Sequence, residues 1–335
     1  MPSAATSLGA MPDGRPVYLW TLGERDGIQL SVMNYGARAA SLTVPLRGGR
    51  REVLLTLPGL EAWLADGSHI GAIAGRFANR IAGARFTLDG REIVLAANSG
   101  PNNLHGGPVG FGRSLWRGET EGDALLLVLD SPDGDQNFPG AMHTELRYRV
   151  AGDTVTLDYT ATTGAPTVVN LTSHAYFNLN GGGDVMDHVV EIAAGTFLPV
   201  DANAIPTGER RPVAGTAFDF RTPTAVGARI GADDEQLRLG RGYDHCYVLA
   251  AAPRPAPVFA ARVTAGGLAW ETATTEPAVQ FYSGNNLKAP HQWRGALCLE
   301  TQHFPNSPNR PDFPSVVLRP GEVFRSTTTW RFTAA

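Results

Sequence analysis

Short runs with β-strand patterning follow one another from Val17 to Phe332. Each is cut off by glycine, proline or an aspartate-glycine pair, and almost nothing between them reads as a helix. Ile28–Val32 alternates apolar and polar residues. Arg85–Leu88 and Arg91–Val94 flank an Asp89-Gly90 turn of the hairpin type, and Leu146–Val150 and Val155–Tyr159 form a second hairpin through Gly152-Asp153. Leu125–Leu129 is a continuous apolar strand, and Val323–Phe332 alternates. The helical candidates are Gly59–Asp66 and a turn at Ala225–Ile230. With 39 glycines and 24 prolines in 335 residues, turns fall at short intervals and long helices are excluded. Strands at this spacing without interleaved helices predict an all-β sandwich rather than a βαβ protein. No compositional shift divides the chain, so a single domain over residues 1–335 is expected.

A net charge of −4 offers nothing to nucleic acid or an anionic membrane surface, so neither is expected as a partner. Cys246 and Cys298 are too few for a disulfide framework and lack metal-ligand spacing, which predicts buried free thiols in a reducing compartment. The first dozen residues have no basic segment followed by an apolar run, and no stretch is long and apolar enough to span a bilayer; a cytoplasmic protein is expected.

The stretch Asn170–Leu179 holds a lone histidine among small and hydroxylic residues. On a strand, Asn170, Thr172, His174, Tyr176 and Asn178 share one face. A fully buried face with five such groups would need five sets of partners, so the face is expected to meet a polar ligand. The competing reading is a core histidine held by backbone carbonyls. Further polar concentrations lie at Gly75–Ile81, with Asn79 and Arg80; at Asn102–Gly107, where His105 precedes two glycines; at Gly242–His245, with Asp244; and at Cys298–Pro305. Glu300, between apolar residues on a strand, requires either a partner arginine or a catalytic task. Glu300 and His303 have the i, i+3 spacing of helical metal sites, but an extended segment followed by three prolines points the two side chains apart, so no metal is expected. There is no Gly-x-Ser-x-Gly elbow and no phosphate-binding glycine loop.

Taken together, these motifs resemble the aldose 1-epimerase (galactose mutarotase) family. The resemblance rests on Gly75–Ile81, Leu104–Gly107, Ser131–Gly134 with Pro139-Gly140, Asn170–Leu179, Ile205–Glu209, Phe218–Phe220, Gly242–His245, Val279–Asn285 and Leu299–Gln302, in order, over about residues 30–332. It implies a large twisted β-sandwich, the supersandwich, with a sugar cleft on a concave face and neither cofactor nor metal. By matched position it implies His174 as general acid and Glu300 as general base. Arg80, His105, Asp244 and Gln280 are implied as sugar contacts, with Asn79 and Tyr176 beside them. Two positions depart from the family pattern: Ser173, where asparagine is usual, and Asn306, where aspartate is usual and which is expected near the cleft rim.

The implied reaction interconverts the α and β anomers of free aldohexoses such as glucose and galactose. One base and one acid on opposite sides of the anomeric carbon suffice, with the imidazolium favoured by the field of Glu300 and Asp244. The alternatives are a non-catalytic sugar-binding protein and an epimerase for a related or phosphorylated aldose, the last requiring a cationic phosphate pocket. A monomer or homodimer is expected.

Overall fold

The computed structural model describes residues 2–335. Its largest element is a nine-stranded antiparallel sheet. From edge to edge it runs Arg117–Glu121, Ala124–Ser131, Met142–Ala151, Thr154–Thr163, Phe324–Ala334, Leu268–Thr274, Val258–Ala265, Val189–Ile192 and Thr224–Ala225. The last long strand of the chain therefore lies mid-sheet, between Thr154–Thr163 and Leu268–Thr274. Both hairpins legible in the sequence form. Met142–Ala151 pairs with Thr154–Thr163 over ten residues, and Arg85–Leu88 pairs with Arg91–Val94 across Asp89 and Gly90, which sit at φ 50° and 79° as a tight hairpin turn requires.

Five strands from the first part of the chain, from Thr6–Ala10 to Gly49–Glu52, form a meander in sequence order. Five more form the sheet that carries the cleft: Arg211–Pro212, Thr196–Leu198, Asp244–Val248, Ala278–Tyr282 and Cys298–Gln302. One continuous apolar cluster joins all three sheets, with Trp20 and Leu30 from the first, Leu146, Leu157 and Trp330 from the second, and Phe281 and Leu299 from the third. Phe177 lies against Trp270 at 3.7 Å between ring centroids and meets Trp330 edge-on at 5.2 Å.

The helical expectations are met in part. Gly59–Ala65 is a short helix that buries Trp63. Ala225–Ile230 contributes only a 3₁₀ turn at Val226–Ala228, and the second α-helix is instead Glu235–Gly240. Its signal is the cap: Asp234 accepts from the N–H groups of Gln236 and Leu237. Among the described residues, no helix is long and apolar enough to cross a membrane. Cys246 and Cys298 are buried and free.

Candidate active site

The stretch Asn170–Leu179 alternates as expected, although only Thr172-Ser173 is regular strand, paired with Ile73-Ala74. Leu171, Ala175, Phe177 and Leu179 enter the core, while His174 and Tyr176 face a cleft of about 380 Å³. The expectation that all five polar side chains meet a ligand is corrected here. Asn170 accepts the N–H of His303 (2.9 Å) and donates to the carbonyl of Ala78 (3.2 Å), and Asn178 donates to three carbonyls, including that of Gly295 (2.8 Å). Those two asparagines are backbone staples, since a buried amide must find partners. Asn170 thereby ties the His174 segment both to the Asn79 loop and to the end of the Glu300 strand.

His174 Nε2 lies 3.9 Å from Glu300 Oε2, and both side chains are buried. His174 Nδ1 lies 3.5 Å from Cys298 Sγ, and the ring lies almost parallel to Tyr176 at 4.9 Å. No arginine pairs with Glu300 among the described residues, and its Oε2 is buried without a hydrogen bond. Burial, reinforced by Asp244 and opposed by Arg80, pushes the Glu300 carboxyl well above the usual range. Burial and then the neighbouring His69 push His174 down to about 3. The expectation of a favoured imidazolium is thus reversed, because desolvation outweighs the field of the carboxylates. Both shifts favour the proton on Glu300 over His174. At 3.9 Å the two stand close together rather than apart across the cleft.

His105 and Asn79 both adopt left-handed backbone, with φ 52° and 61°, conformations that non-glycine residues keep only where surroundings impose them. The constraint is visible: the N–H of His105 donates to Asn79 O (3.0 Å), and the N–H of Asn79 donates to His105 Nδ1 (3.2 Å). That second bond makes Nδ1 the acceptor and leaves the proton on Nε2. The next residue must be glycine, since at Gly106 (φ 85°) a Cβ would fall 1.9 Å from the carbonyl of Gly75. Arg76, by contrast, is a structural residue. Its buried guanidinium donates to Ser131 Oγ and to the carbonyls of Pro139 and Gly140, gathering two of the sequence motifs. Arg80 lines the cleft without a salt bridge among the described residues.

Asp244 also lines the cleft, with its carboxyl raised by burial against the opposing pull of Arg80 and Gln280. Gln280 does not line the cleft. It is buried and donates to Asp244 Oδ1 at 2.7 Å, while its own Oε1 has no hydrogen bond to any described residue. Asn306 is likewise not a rim residue. It is buried, donates its N–H to Arg80 O (2.8 Å), and accepts from Ala82 N–H (3.0 Å). Ser173 faces away from the cleft, beside Tyr148. His303 points away from Glu300 as expected and lies 2.7 Å from Glu276.

Sequence reading missed Ser68, His69 and Lys288, which also line the cleft. Lys288 is the single lysine of the chain, a signal that composition carried. Ligand atoms of His105, His174 and Glu300 lie within 4.8 Å of one another, a donor set that suits zinc or a similar divalent cation.

Two large sheets around one core, with an open polar cleft at the end of a third, define a galactose mutarotase-like β-sandwich. Comparison with known proteins is specific. The sequence profile described as Aldose 1-epimerase matches residues 18–331. The chain is 40% identical to the aldose 1-epimerase of Escherichia coli (strain K12), covering 96% of this chain and 97% of that one. It is 38% identical to the galactose mutarotase of Homo sapiens, covering 98% and 97%. Among solved structures, galactose 1-epimerase from Lactobacillus acidophilus NCFM superimposes with a TM-score of 0.88 at 26% identity, covering 100% of this chain and 99% of that one. The chain belongs to the aldose 1-epimerase family.

Proposed function

We propose that this protein is an aldose 1-epimerase that interconverts the α and β anomers of free aldohexoses such as glucose and galactose, with His174 and Glu300 exchanging the protons. The observation that carries the assignment of residues is the buried, unshared His174–Glu300 pair at 3.9 Å in an open polar cleft. The similarity to aldose 1-epimerases and galactose mutarotases over nearly the whole chain supports the reaction.

The two reacting oxygens of an aldopyranose, O1 and O5, are bonded to the same carbon, so an acid and a base close together can serve both. In ring opening, Glu300 carboxylate takes the O1 proton and His174 imidazolium gives a proton to O5 as the C1–O5 bond breaks. The open aldehyde turns about C1–C2. In closure, O5 attacks the other face of C1, its proton returns to His174, and Glu300 returns a proton to O1. Closure therefore starts from protonated Glu300 and neutral His174, the arrangement that burial favours. Opening starts from the other arrangement of the same single proton. Each proton transfer is worth roughly 10²–10⁴-fold.

Arg80, Asp244 and the Nε2–H of His105 hold sugar hydroxyls, with Asn79 and Tyr176 shaping the walls and Gln280 holding Asp244. The reaction balances without a cofactor or metal. We read the chain as one domain acting in the cytoplasm as a monomer or homodimer. Polarimetry on freshly dissolved α-glucose and α-galactose tests the assignment. A rate no greater than that of buffer on either sugar, and on xylose and arabinose, would refute it.

A further inference from the structure

His69 enters the cleft on a turn fixed from two directions. Asp66 Oδ1 accepts the N–H of Ser68 (2.7 Å), and its Oδ2 accepts both the N–H of Ile70 (2.8 Å) and Arg38 Nη1 (2.7 Å). Arg38 is fully buried and donates as well to the carbonyls of Ile70 and Gly112, with its guanidinium over the rings of Tyr35 and Trp63. From the cleft side, the hydroxyl of Tyr176 donates to Ser68 O at 3.0 Å. A buried ion pair of this kind rewards the fold little in net stability, but it specifies geometry, and breaking it leaves an uncompensated charge.

The geometry it specifies is a left-handed histidine, φ 57°, whose ring centroid lies 4.8 Å from His105 and 6.0 Å from His174. A non-glycine residue pays strain to stay there, and such residues concentrate where a side chain must be aimed. His105 and His174 each have a neighbour at Nδ1, whereas the His69 ring has no hydrogen bond to any described residue. Burial holds it neutral, down at about 4. A neutral imidazole presents one donor and one acceptor, the complement of a hydroxyl group.

We propose that His69 is a substrate-binding residue of this cleft, hydrogen-bonding one of the sugar's 2-, 3-, 4- or 6-hydroxyls and so setting which aldoses the site prefers. The proposal rests on the mutarotase reading. If His69 served only to pack against His105, phenylalanine would replace it and treat every sugar alike.

The test measures kcat and KM by polarimetry for the wild type, H69F and H69N, on galactose and on its 2-, 3-, 4- and 6-deoxy forms. H69F keeps the ring and loses both hydrogen-bonding atoms. H69N suits the left-handed backbone but falls short of the sugar, and it carries the test if H69F does not fold. Either variant should raise KM for galactose roughly three- to tenfold, the scale of one neutral hydrogen bond, with kcat within about threefold. On one deoxy sugar, the one lacking the contacted hydroxyl, wild type and variant should have equal KM. Unchanged KM for galactose, or the same ratio on every sugar, overturns the proposal. If the wild type accelerates no aldose, the mutarotase reading falls separately. Histidine ¹⁵N NMR during galactose titration then decides His69: movement of its ring nitrogens supports the contact, and no movement overturns it.

Discussion

His174 Nε2 and Glu300 Oε2 stand 3.9 Å apart with no cation paired to the carboxylate among the described residues. A buried carboxylate left in this state is costly, and a fold keeps it only where another use compensates. Removing the base while preserving shape tests that use. Glu300→Gln should lower kcat by at least about 100-fold while leaving galactose binding, followed by tryptophan fluorescence, within a few-fold, and His174→Asn should do the same. Near wild-type turnover in either variant removes that residue from the reaction.

The pH profile should be a bell whose limbs are assigned in the reverse of the ordinary order. Glu300 is pushed up by burial and Asp244, while His174 is pushed down to about 3 by burial and His69. His105, Tyr176, Tyr282 and the Cys298 thiol also face this pair, all in their neutral forms, and Arg80 and Asp244 oppose one another. One proton is then shared over the working range, and the ring-opening arrangement is a constant minor fraction of it. On the acid side activity falls as His174 takes a second proton; on the alkaline side it falls as Glu300 loses the last one. In kcat/KM from pH 3 to 9, blank-corrected, the wild-type alkaline limb should be replaced in Glu300→Gln by a steady fall from the acid end, as His174 alone loses its proton. A wild-type alkaline midpoint unchanged in that variant assigns the limb to another group.

The sheets were readable because strand alternation and turn chemistry are local: the Asp89-Gly90 and Gly152-Asp153 turns and the Phe324–Ala334 strand stand where period and punctuation put them. So were His174, Arg80, His105 and Asp244 as members of one cleft, through the family resemblance. Asn306 was misplaced because depth is a tertiary property; whether an amide meets the cleft rim or the backbone beneath it depends on how strands and a loop stack. His69 was invisible for the same reason. Nothing local shows that Arg38, 28 residues away, grips Asp66 and aims the turn. The raised carboxyl of Glu300 was legible from its apolar neighbours, but His174 was misjudged because how deeply an imidazole is buried is a tertiary property.

Asp244 and Gln280 should behave as a contact and its support. Asp244→Ala removes a ligand group made in ground state and transition state alike, so KM should rise by about tenfold or more with a smaller change in kcat. Gln280→Ala should raise KM less, roughly threefold, and should add little in the Asp244→Ala background, since the 2.7 Å bond between them is its route to the sugar. Full additivity of the two in polarimetric assays would show that Gln280 acts independently.

Divalent metal should inhibit rather than activate. The scheme closes its proton balance without an ion, so dialysis against EDTA should leave kcat and KM unchanged. Added Zn²⁺ should compete with sugar by bridging His105, His174 and Glu300, whose ligand atoms lie within 4.8 Å of one another. Activity lost on chelation and restored by zinc, iron or manganese would overturn the metal-free scheme.

The same carboxyl should make the native protein less stable as pH rises. Glu300 has a raised folded-state pKa, so the folded protein holds a proton that the unfolded chain releases near the ordinary carboxylate value, ~4.3. Below that value the group is neutral in both states and contributes no penalty. Above it, folding must retain the proton against solvent, and the penalty grows with pH until the folded carboxyl itself ionises. Glutamine carries no such charge. Glu300→Gln should therefore raise Tm at pH 8 by roughly 1–3 °C, in line with relief of about 1–2 kcal/mol in a chain of this length, and change it little near pH 4. A gain in Tm confined to high pH, in the variant that has lost turnover, separates a residue kept for chemistry from one kept for structure. A lower Tm at pH 8 would mean that Glu300 is satisfied in the fold after all.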